Sequence, residues 1–425
     1  MKSTLAPLAL AVAAMAAGTT GLAAQETPEQ VAAAALDAAP VFDGHNDVPG
    51  QLRDRYKNVL ADFDFHDTTD VPGNGWSGGG MHTDLPRARE GKLGAQFWSV
   101  YVSASLPEPE AVQTTLEQID VTKRMVARYP DDLQFALTAD QVESAMANGR
   151  IASLMGMEGG HSIGSSLAVL RQMYDLGVRY MTLTHSKTIP WADSATDAPT
   201  HGGLTDFGKD VVREMNRIGM LVDLSHVSEE VMNDALDVAK APVIFSHSGA
   251  RAINGHARNV PDSVLDRLPE NGGVVMVVAL PAYLSEAQRQ WFADRSAEEA
   301  RLKALWQGQP DKAEAMLKAW DEAHPTPDAT ISDMADHIDH IKKVAGVAHI
   351  GIGGDYDGMR SGPVGMEDVT GYPALFTELA KRGYSQAELE MIASRNILRA
   401  MREAERYAAS QRDAAPYETL IGAAD

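Results

Sequence analysis

Residues 220–247 read MLVDLSHVSEEVMNDALDVAKAPVIFSH and contain one complete strand–helix–strand unit. The apolar runs at residues 220–226 and 242–247 are typical of buried strands, and each run ends on a histidine. Between them, residues 228–239 have the pattern of an amphipathic helix that begins at a capping serine. Because strands joined through a helix run parallel, this stretch predicts one step of an α/β fold.

The same alternation extends through the rest of the chain. Further strand-like runs occur at residues 41–47, 95–102, 151–158, 180–185, 273–279 and 349–355. Helical patterns lie between most of them, including residues 205–219 and a last long helix that begins with a capping box of Ser385 and Glu388. Eight strands alternating with helices, without a glycine-rich dinucleotide turn after the first, favour a (β/α)₈ barrel of the TIM type over a doubly wound sheet. Residues 134–138 predict a ninth, peripheral strand.

Two segments depart from this alternation. Residues 285–323 are rich in Ala, Glu, Lys and Arg and place Trp291, Trp306 and Trp320 at apolar positions, which predicts a helical insertion packed on the barrel. Residues 70–80, with three consecutive glycines, predict a flexible surface loop. We therefore expect a single barrel domain at residues 38–410 and a polar C-terminal tail at residues 411–425.

Composition excludes several classes of protein. The chain has 425 residues, and 37 Lys and Arg against 59 Asp and Glu give a net charge of −22. A surface this acidic repels phosphate backbones and anionic lipid headgroups, which argues against a nucleic-acid-binding or peripheral membrane protein. The absence of cysteine excludes disulfides, thiolate zinc sites, iron–sulfur clusters and a cysteine nucleophile. Any bound metal must be held by His, Asp and Glu.

The N-terminal segment has the pattern of a targeting sequence. Lys2 is the only charge before an apolar run at residues 5–17, and small residues follow up to residue 24. This is the order of a charged region, an apolar region and a cleavage site. A membrane anchor would need about 20 apolar residues, and this run is shorter. We expect residues 1–24 to be a cleaved signal peptide and the mature protein to be periplasmic, without a membrane anchor.

Ionisable side chains stand at the ends of six predicted strands. They are His45, Asp47, Glu158, His185, His226, His247 and Asp355. The carboxyl ends of barrel strands form a single ring, where active sites lie, so we expect these side chains to face one mouth. Each alone has an ordinary structural explanation, and it is their coincidence that favours a common site. His337 and His340, three residues apart on a helix, could pair on a metal, but their acidic neighbours favour a solvated helix face.

The donor set predicts the chemistry of this mouth. Histidine nitrogen and carboxylate oxygen without sulfur suit Zn²⁺, and also Mn²⁺ or Co²⁺. The donors suffice for two ions about 3.5–4 Å apart that share one carboxylate. Two divalent cations would balance the charges of Asp47, Glu158, Asp355 and a bridging hydroxide. Such an ion pair lowers the pKa of bound water toward neutrality and thereby supplies a hydrolytic nucleophile.

Several motifs resemble the membrane dipeptidase (renal dipeptidase) family, with its amidohydrolase-like barrel. They follow in order from about residue 41 to about residue 402 and include DGHNDVP at 43–49, GMEGGHS at 156–162, LTH at 183–185, DLSHVS at 223–228, FSHS at 245–248, RNVPD at 258–262 and GGDYDG at 353–358. The resemblance implies a barrel that holds two zinc ions and cleaves dipeptides. It implies that His45 and Asp47 bind the first zinc, Glu158 bridges both, and His226 and His247 bind the second.

The resemblance also implies roles for residues around the metals. Asp355 matches an acid/base aspartate that takes a proton from the bridging water and passes it to the leaving amine. His185 matches a histidine that contacts the scissile carbonyl and its oxyanion. Arg258 matches an arginine that binds the C-terminal carboxylate of the substrate, and Tyr101 matches an aromatic residue on the substrate side. Tolerance of a D-residue at the C-terminal position of the dipeptide is implied as well.

The departures from the family pattern concern the rim of the site. Residues 279–281 read ALP where many relatives carry Asn and Tyr, Gly50 stands where some carry Trp, and the insertion at residues 285–323 is longer than in mammalian members. Substrate preference is therefore open between L,L- and L,D-dipeptides. Two other functions also remain open, a related binuclear hydrolase of lactams, lactones or N-acyl amino acids, and a non-catalytic peptide-binding protein. Since relatives are often homodimers, a homodimer is a further expectation.

Overall fold

A computed structural model describes residues 26–73 and 79–421, together with Met1 and Thr4. Most of the expected signal peptide at residues 1–24 and the centre of the glycine-rich loop at residues 70–80 lie outside the described residues. Within the described ranges, no helix combines the length and the apolar character needed to cross a bilayer.

The centre of the fold is a closed parallel barrel. The strands found in the described ranges are β1 (Val41–Asn46), β2 (Leu93–Ser99), β3 (Leu133–Phe135), β4 (Ile151–Glu158), β5 (Val178–Thr182), β6 (Leu221–Asp223), β7 (Ile244–Ser248), β8 (Val274–Val278) and β9 (Ile350–Gly353). The barrel runs β1, β2, β4, β5, β6, β7, β8, β9 and closes from β9 to β1, with every pair parallel. The predicted (β/α)₈ barrel is confirmed. β3 pairs with the beginning of β4 at the edge of the sheet, so the predicted peripheral strand is present, but it spans Leu133–Phe135 rather than residues 134–138.

Helices cover the outside of this barrel. They are α1 (Pro28–Ala38), α2 (Val48–Tyr56), α3 (Leu85–Glu90), α4 (Glu108–Arg128), α5 (Ala139–Ala147), α6 (Leu167–Asp175), α7 (Asp206–Ile218), α8 (Glu229–Val238), α9 (Asp262–Leu265), α10 (Leu268–Asn271), α11 (Pro281–Leu284), α12 (Glu286–Leu305), α13 (Pro310–Ala323), α14 (Ile331–Val344), α15 (Tyr372–Lys381), α16 (Gln386–Glu390) and α17 (Asn396–Ser410).

The helix ends follow the capping signals of the sequence. Thr205 caps α7 by accepting from the amide of Gly208, and α7 ends at Gly219, whose φ of 85° suits glycine. Ser228 caps α8 in the same way. The predicted capping box of Ser385 and Glu388 is present and begins α16, which continues through a π-helical turn into α17. Local hydrogen bonds therefore fix these helix starts, as the sequence predicted.

Six barrel strands end one to three residues earlier than the sequence suggested, and in β5 and β6 the difference moves a predicted site histidine. β5 ends at Thr182 and β6 at Asp223, whereas the prediction extended them to His185 and His226. The φ of His226 is 69°, in the left-handed region, and a strand cannot continue through that conformation. Both histidines therefore lie on the loops that follow the strands, still at the carboxyl ends of the barrel.

The insertion at residues 285–323 is a helical hairpin of α12 and α13. Ser285 caps α12, and the two helices pack against each other with the rings of Trp291 and Trp320 5.8 Å apart. Its base is joined to the rest of the chain by a hydrogen bond from the amide of Gly255 to Glu286 and by one from Gln288 to the carbonyl of Pro327. Most of its surface faces solvent.

Three strands approach one another closely just below the mouth. A Cβ atom at Gly353 would lie 1.9 Å from the carbonyl oxygen of Ser246, and one at Gly44 would lie 2.5 Å from the same oxygen. Only glycine fits at these positions, because a side chain would collide with the backbone. The approach brings β1 against β7, so that the rings of His45 and His247 are 3.9 Å apart.

Candidate metal centre

The seven predicted side chains meet at one mouth of the barrel. His45 and His247 lie in β1 and β7, Glu158 ends β4, and the others follow the ends of β1, β5, β6 and β9. A cavity of about 450 Å³ opens there. Its lining includes six of the seven: Asp47, Glu158, His185, His226, His247 and Asp355. The seventh, His45, is completely buried beneath them.

Two of these residues reach the cavity through unusual backbone conformations. The φ angles of His226 and Asp355 are 69° and 61°, in the left-handed region that non-glycine residues seldom adopt. Hydrogen bonds hold both residues, from the amide of Asp355 to the carbonyl of His45 and from the amide of Ala195 to the carbonyl of His226. Such strain persists only where the surrounding structure enforces it, and it clusters at functional sites.

Glu158 lies at the centre of the cluster. Its Oε1 is 3.0 Å from His226 Nε2, 3.5 Å from His247 Nε2 and 3.7 Å from His185 Nε2. Its Oε2 is 3.6 Å from His45 Nε2. One oxygen of the carboxylate thus faces three imidazoles and the other faces that of His45, which is the arrangement of a bridging ligand.

The donor atoms of the cluster fit divalent cations. His45 Nε2 lies 3.4 Å from Asp47 Oδ2, it is buried, and it has no hydrogen-bond partner among the described residues. His226 Nε2 and His247 Nε2 approach to 2.9 Å, so two aromatic nitrogens point at almost the same place. Three overlapping groups have all their donor atoms within 4.8 Å: His45, Glu158 and His247; Glu158, His185 and His226; His45, Asp47 and Asp355. Nitrogen and oxygen donors in this proportion suit zinc and related metals.

The electrostatics of the cluster point to bound cations as well. Burial, assisted by the neighbouring charges of Asp47 and Glu158, raises the pKa of Asp355 to about 8. Burial also lowers the pKa of His185 to about 4, with Arg258 adding to the effect. Three carboxylates in one buried space repel each other, and divalent cations would offset that repulsion.

Arg258 lies on the wall of the same cavity and is only 1% exposed. Its guanidinium makes two long hydrogen bonds, 3.4 Å to Ser248 Oγ and 3.3 Å to the carbonyl oxygen of His247, and lies 5.5 Å from the ring centroid of Tyr283. Its Nε has no hydrogen-bond partner, and no carboxylate of the described residues forms an ion pair with it. A buried guanidinium without a counter-ion is suited to bind an anionic group of a ligand.

Tyr101 borders the cavity beside His185, with ring centroids 4.5 Å apart. The ring of His185 stacks on that of His226 at 4.2 Å. Burial raises the pKa of Tyr101 to about 12, so its hydroxyl stays protonated near neutral pH. The tyrosine and both histidines thus form one aromatic side of the cavity.

The structure also places residues that sequence reasoning missed or misjudged. Tyr283 and Gln51 line the cavity, but neither stands in a motif or at a strand end. The interpretation of His337 as part of a solvated helix face is wrong. His337 is completely buried, accepts a hydrogen bond from the amide of Ala250 and donates one to the carbonyl of Leu284. The burial of His337 results from the packing of α14 against the loop at Ala250 and the end of α11.

Comparison with known proteins gives matches over most of the chain. The family profile described as membrane dipeptidase (peptidase family M19) matches residues 29–415. Dipeptidase 3 of Rattus norvegicus is 40% identical over 387 residues, a match that spans 90% of this chain and 68% of that protein. An uncharacterized dipeptidase of Schizosaccharomyces pombe is 42% identical over 393 residues, 89% of this chain and 84% of its own length.

Solved structures share the fold. The dipeptidase AC, a metallopeptidase, superposes with a TM-score of 0.68 at 26% identity, and the match covers 86% of this chain and 98% of that one. A metallopeptidase from Rhodobacter sphaeroides, solved with a phosphinate mimic of the dipeptide L-Ala-D-Ala, has a TM-score of 0.68 at 24% identity, with 86% and 99% covered.

Proposed function

This chain belongs to the membrane dipeptidase family and is a metallo-dipeptidase, and we propose that it acts on dipeptides with a pair of zinc ions after export from the cytoplasm. The observation that carries the proposal is the position of Glu158. One of its oxygens faces three imidazoles and the other faces His45, in a cavity that Arg258 also lines, and no carboxylate of the described residues forms an ion pair with Arg258.

The donor positions support an assignment of five ligands. His45 and Asp47 would hold one cation, His226 and His247 the other, and Glu158 would serve both. When bound, such cations polarise a carbonyl oxygen and lower the pKa of water at the site. A histidine-rich set without sulfur favours zinc among the candidate metals.

Arg258 would select the substrate. A dipeptide has a free C-terminal carboxylate, and a guanidinium can bind such a group through two parallel hydrogen bonds. Because Arg258 lines the same cavity as Glu158, a carboxylate bound there would hold the adjacent peptide bond within the cavity of the proposed metal ligands. Substrates without the carboxylate would leave the buried charge uncompensated, which disfavours simple esters and lactones.

Asp355 and His185 would act on the peptide bond itself. The raised pKa of Asp355 suits a group that accepts a proton from the attacking water and donates it to the leaving amine. His185 has a depressed pKa and is therefore neutral at pH 7, so one ring nitrogen can donate a hydrogen bond to the developing oxyanion. Tyr101, in contact with the ring of His185, would border the substrate.

The proposed substrates include both L,L- and L,D-dipeptides. The bound phosphinate in the Rhodobacter sphaeroides metallopeptidase mimics a dipeptide with a D-residue at the C-terminal position. The same stereochemistry is proposed here because this chain shares that fold and has a buried arginine, Arg258, in the cavity of the proposed metal site.

Export is proposed from the sequence pattern of residues 1–24. The test is N-terminal sequencing of the protein recovered from the periplasm of a bacterial host. The expected first residue is Gln25, and a mature protein that retains the apolar run at residues 5–17 would contradict a cleaved signal.

A turnover assay on a library of L,L- and L,D-dipeptides tests the activity. Hydrolysis should occur without a chelator, cease with one, and return when zinc is added. Matched dipeptide amides, lactams and simple esters serve as controls, and we expect them to be poor substrates because they lack the carboxylate for Arg258. Faster turnover of a lactone or lactam than of every dipeptide would favour the related hydrolase instead.

A further inference from the structure

The imidazole of His247 is connected to a buried carboxylate through one hydroxyl group. His247 Nδ1 lies 2.8 Å from Ser246 Oγ, which in turn lies 2.7 Å from Asp223 Oδ2. Asp223 is completely buried, and it also accepts hydrogen bonds from the amides of Ser225 and Ser246 and from the hydroxyl of Thr182. We call Asp223, Ser246 and His247 the serine relay.

The serine relay determines which nitrogen of His247 carries the proton. The hydroxyl of Ser246 donates to Asp223 Oδ2, and a hydroxyl has a single proton to donate. Ser246 Oγ is then free to accept a hydrogen bond from Nδ1–H of His247. This tautomer leaves the lone pair on Nε2, the nitrogen that faces Glu158 and His226.

His45 has a corresponding partner of different chemistry. His45 Nδ1 lies 2.8 Å from the hydroxyl of Tyr180, and that hydroxyl donates to the carbonyl of Gly44 at 3.2 Å. Because a carbonyl can only accept, the tyrosine oxygen accepts from Nδ1–H of His45. The ring of Tyr180 fits here because Gly156 has no side chain, and a Cβ there would lie 1.9 Å from the ring. We call Tyr180 and His45 the tyrosine contact.

The remaining imidazoles are held differently. Among the residues that the structure describes, no hydrogen bond reaches Nδ1 of His226. His185 Nδ1 contacts only the hydroxyl of its neighbour Ser186 at 3.1 Å. The two imidazoles that are 1% exposed or less thus have preset tautomers, whereas the two nearer the solvent do not.

We propose that the serine relay and the tyrosine contact are positioning devices, and that each presets the ligand tautomer of one imidazole for one of the two cations. The inference rests on the proposed two-cation site. The serine relay serves the cation shared by His226 and His247, and the tyrosine contact serves the cation at His45 and Asp47. Each cation is therefore held by one preset imidazole.

Metal release from single and double variants tests this division. Ser246→Ala and Tyr180→Phe are each loaded with zinc and dialysed against graded chelator, and the zinc retained per chain is measured by mass spectrometry. Each single variant should release one equivalent at a free-zinc level about 10- to 100-fold higher than wild type does, and the double variant should release both. Ser153→Ala and Tyr129→Phe are the matched controls, since both hydroxyls are buried outside the site and should leave zinc retention unchanged.

Nuclear magnetic resonance of ¹⁵N-histidine-labelled wild type provides a second test that needs no variant to fold. In the zinc-loaded protein, His247 and His45 should both carry the proton on Nδ1. Coordination of either ring through Nδ1 would overturn the inference, whatever the stability of Ser246→Ala.

The outcomes separate this inference from the proposed function. A wild-type protein that binds two zinc ions, with Ser246→Ala and Tyr180→Phe retaining both as tightly, would overturn the inference alone. A double variant that releases only one equivalent would show that both devices serve one cation, which also contradicts it. A wild-type protein that binds no divalent cation would contradict the proposed function, and the inference would fail with it.

Discussion

The mouth of the barrel and the helical hairpin of α12 and α13 both carry many charged side chains, with opposite consequences. At the mouth, Glu158 is 4% exposed and has four imidazole nitrogens within 3.7 Å. On the hairpin, Arg295 and Asp321 form a two-point ion pair in which about a third of each side chain is exposed. At the mouth, each charged group depends on several neighbours. On the hairpin, the ion pair lies at the surface and is largely independent of other charges.

The difference follows from solvent screening. At 4 Å, two unit charges interact by about 1 kcal/mol in bulk water and by about 4 kcal/mol at the effective dielectric of a protein surface. Charges in the mouth also lose their hydration, so removal of one partner leaves the others uncompensated. Substitutions at the mouth should therefore lower turnover by orders of magnitude, whereas a substitution on the hairpin should leave turnover unchanged.

Glu158→Gln should have the largest effect. The amide cannot offer one anionic oxygen to His45 and another to the imidazoles on its other side, so we expect both cations to bind weakly. Turnover should fall beyond the roughly 10²- to 10⁴-fold that a single proton-transfer group contributes. Zinc content after dialysis and dipeptide turnover are the measurements. Retention of two tightly bound zinc ions would remove Glu158 from the ligand set.

Asp355→Asn should separate metal binding from proton transfer. The side chain keeps its shape, and the other carboxylates of the site remain, so we expect both cations to stay bound. Turnover should fall by roughly 10²- to 10⁴-fold, because the amide cannot take a proton from water. Parallel measurement of zinc content and kcat decides the role, and unchanged kcat would exclude Asp355 as the proton carrier.

Arg258→Ala should weaken substrate binding more than chemistry. Charge-assisted hydrogen bonds contribute about 1.5–3 kcal/mol, so kcat/KM should fall roughly 10- to 100-fold, mainly through KM. Arg258→Lys is the matched control because it keeps the charge and loses the two-point geometry, and we expect an intermediate KM. Wild-type kinetics for Arg258→Ala on a dipeptide would contradict the carboxylate-binding role.

Glu214→Gln tests how a buried charge outside the proposed site affects the stability of the fold. Burial opposes ionisation of Glu214, but hydrogen bonds from Arg217 and Arg171 hold its pKa below the usual range. Its ionised form therefore stabilises the fold above a pH of about 4.3, and this contribution is lost as the pH falls through the lower, folded-state pKa. The variant should lose about 3 kcal/mol of unfolding free energy near neutral pH and approach wild type in acid, as urea titrations at several pH values would show. Loss of bound zinc would contradict a purely structural role.

Arg295→Ala should have the smallest effect. Its pair with Asp321 joins α12 to α13, but solvent reaches both side chains, so the change in unfolding free energy should be below about 1 kcal/mol. Turnover on dipeptides should be unchanged. A loss as large as that of Glu214→Gln would show that the hairpin is coupled to the barrel more tightly than its surface pairs suggest.

Much of this molecule followed from local patterns in the sequence. Apolar runs predicted the strands because parallel barrel strands are buried on both faces, and Thr205, Ser228 and Ser385 marked helix starts through side-chain hydrogen bonds to nearby amides. Donor residues at successive strand ends predicted a metal site because parallel strands share one edge. The prediction of a barrel, which the structure confirms, rests on these local signals.

Other features depend on contacts between distant segments. His185 and His226 lie on the loops that follow their strands. Hydrogen bonds from Ser194 and Ala195 reach their carbonyl oxygens, and His226 has a left-handed conformation that no local signal requires. His337 is buried because α14 packs over the loop at Ala250 and the end of α11 at Leu284, although its neighbours in sequence are acidic.

The sequence by itself determined which elements form and which donor atoms are available, because hydrogen bonding and apolar periodicity act over a few residues. Only the tertiary structure decided that Glu158 lies between His45 and three other imidazoles, and that Arg258 is buried with no carboxylate of the described residues as its counter-ion. It also decided that the hydroxyl groups of Ser246 and Tyr180 contact two of the imidazoles. Those properties depend on distances between segments that are far apart in the chain, and these distances are set when the barrel closes.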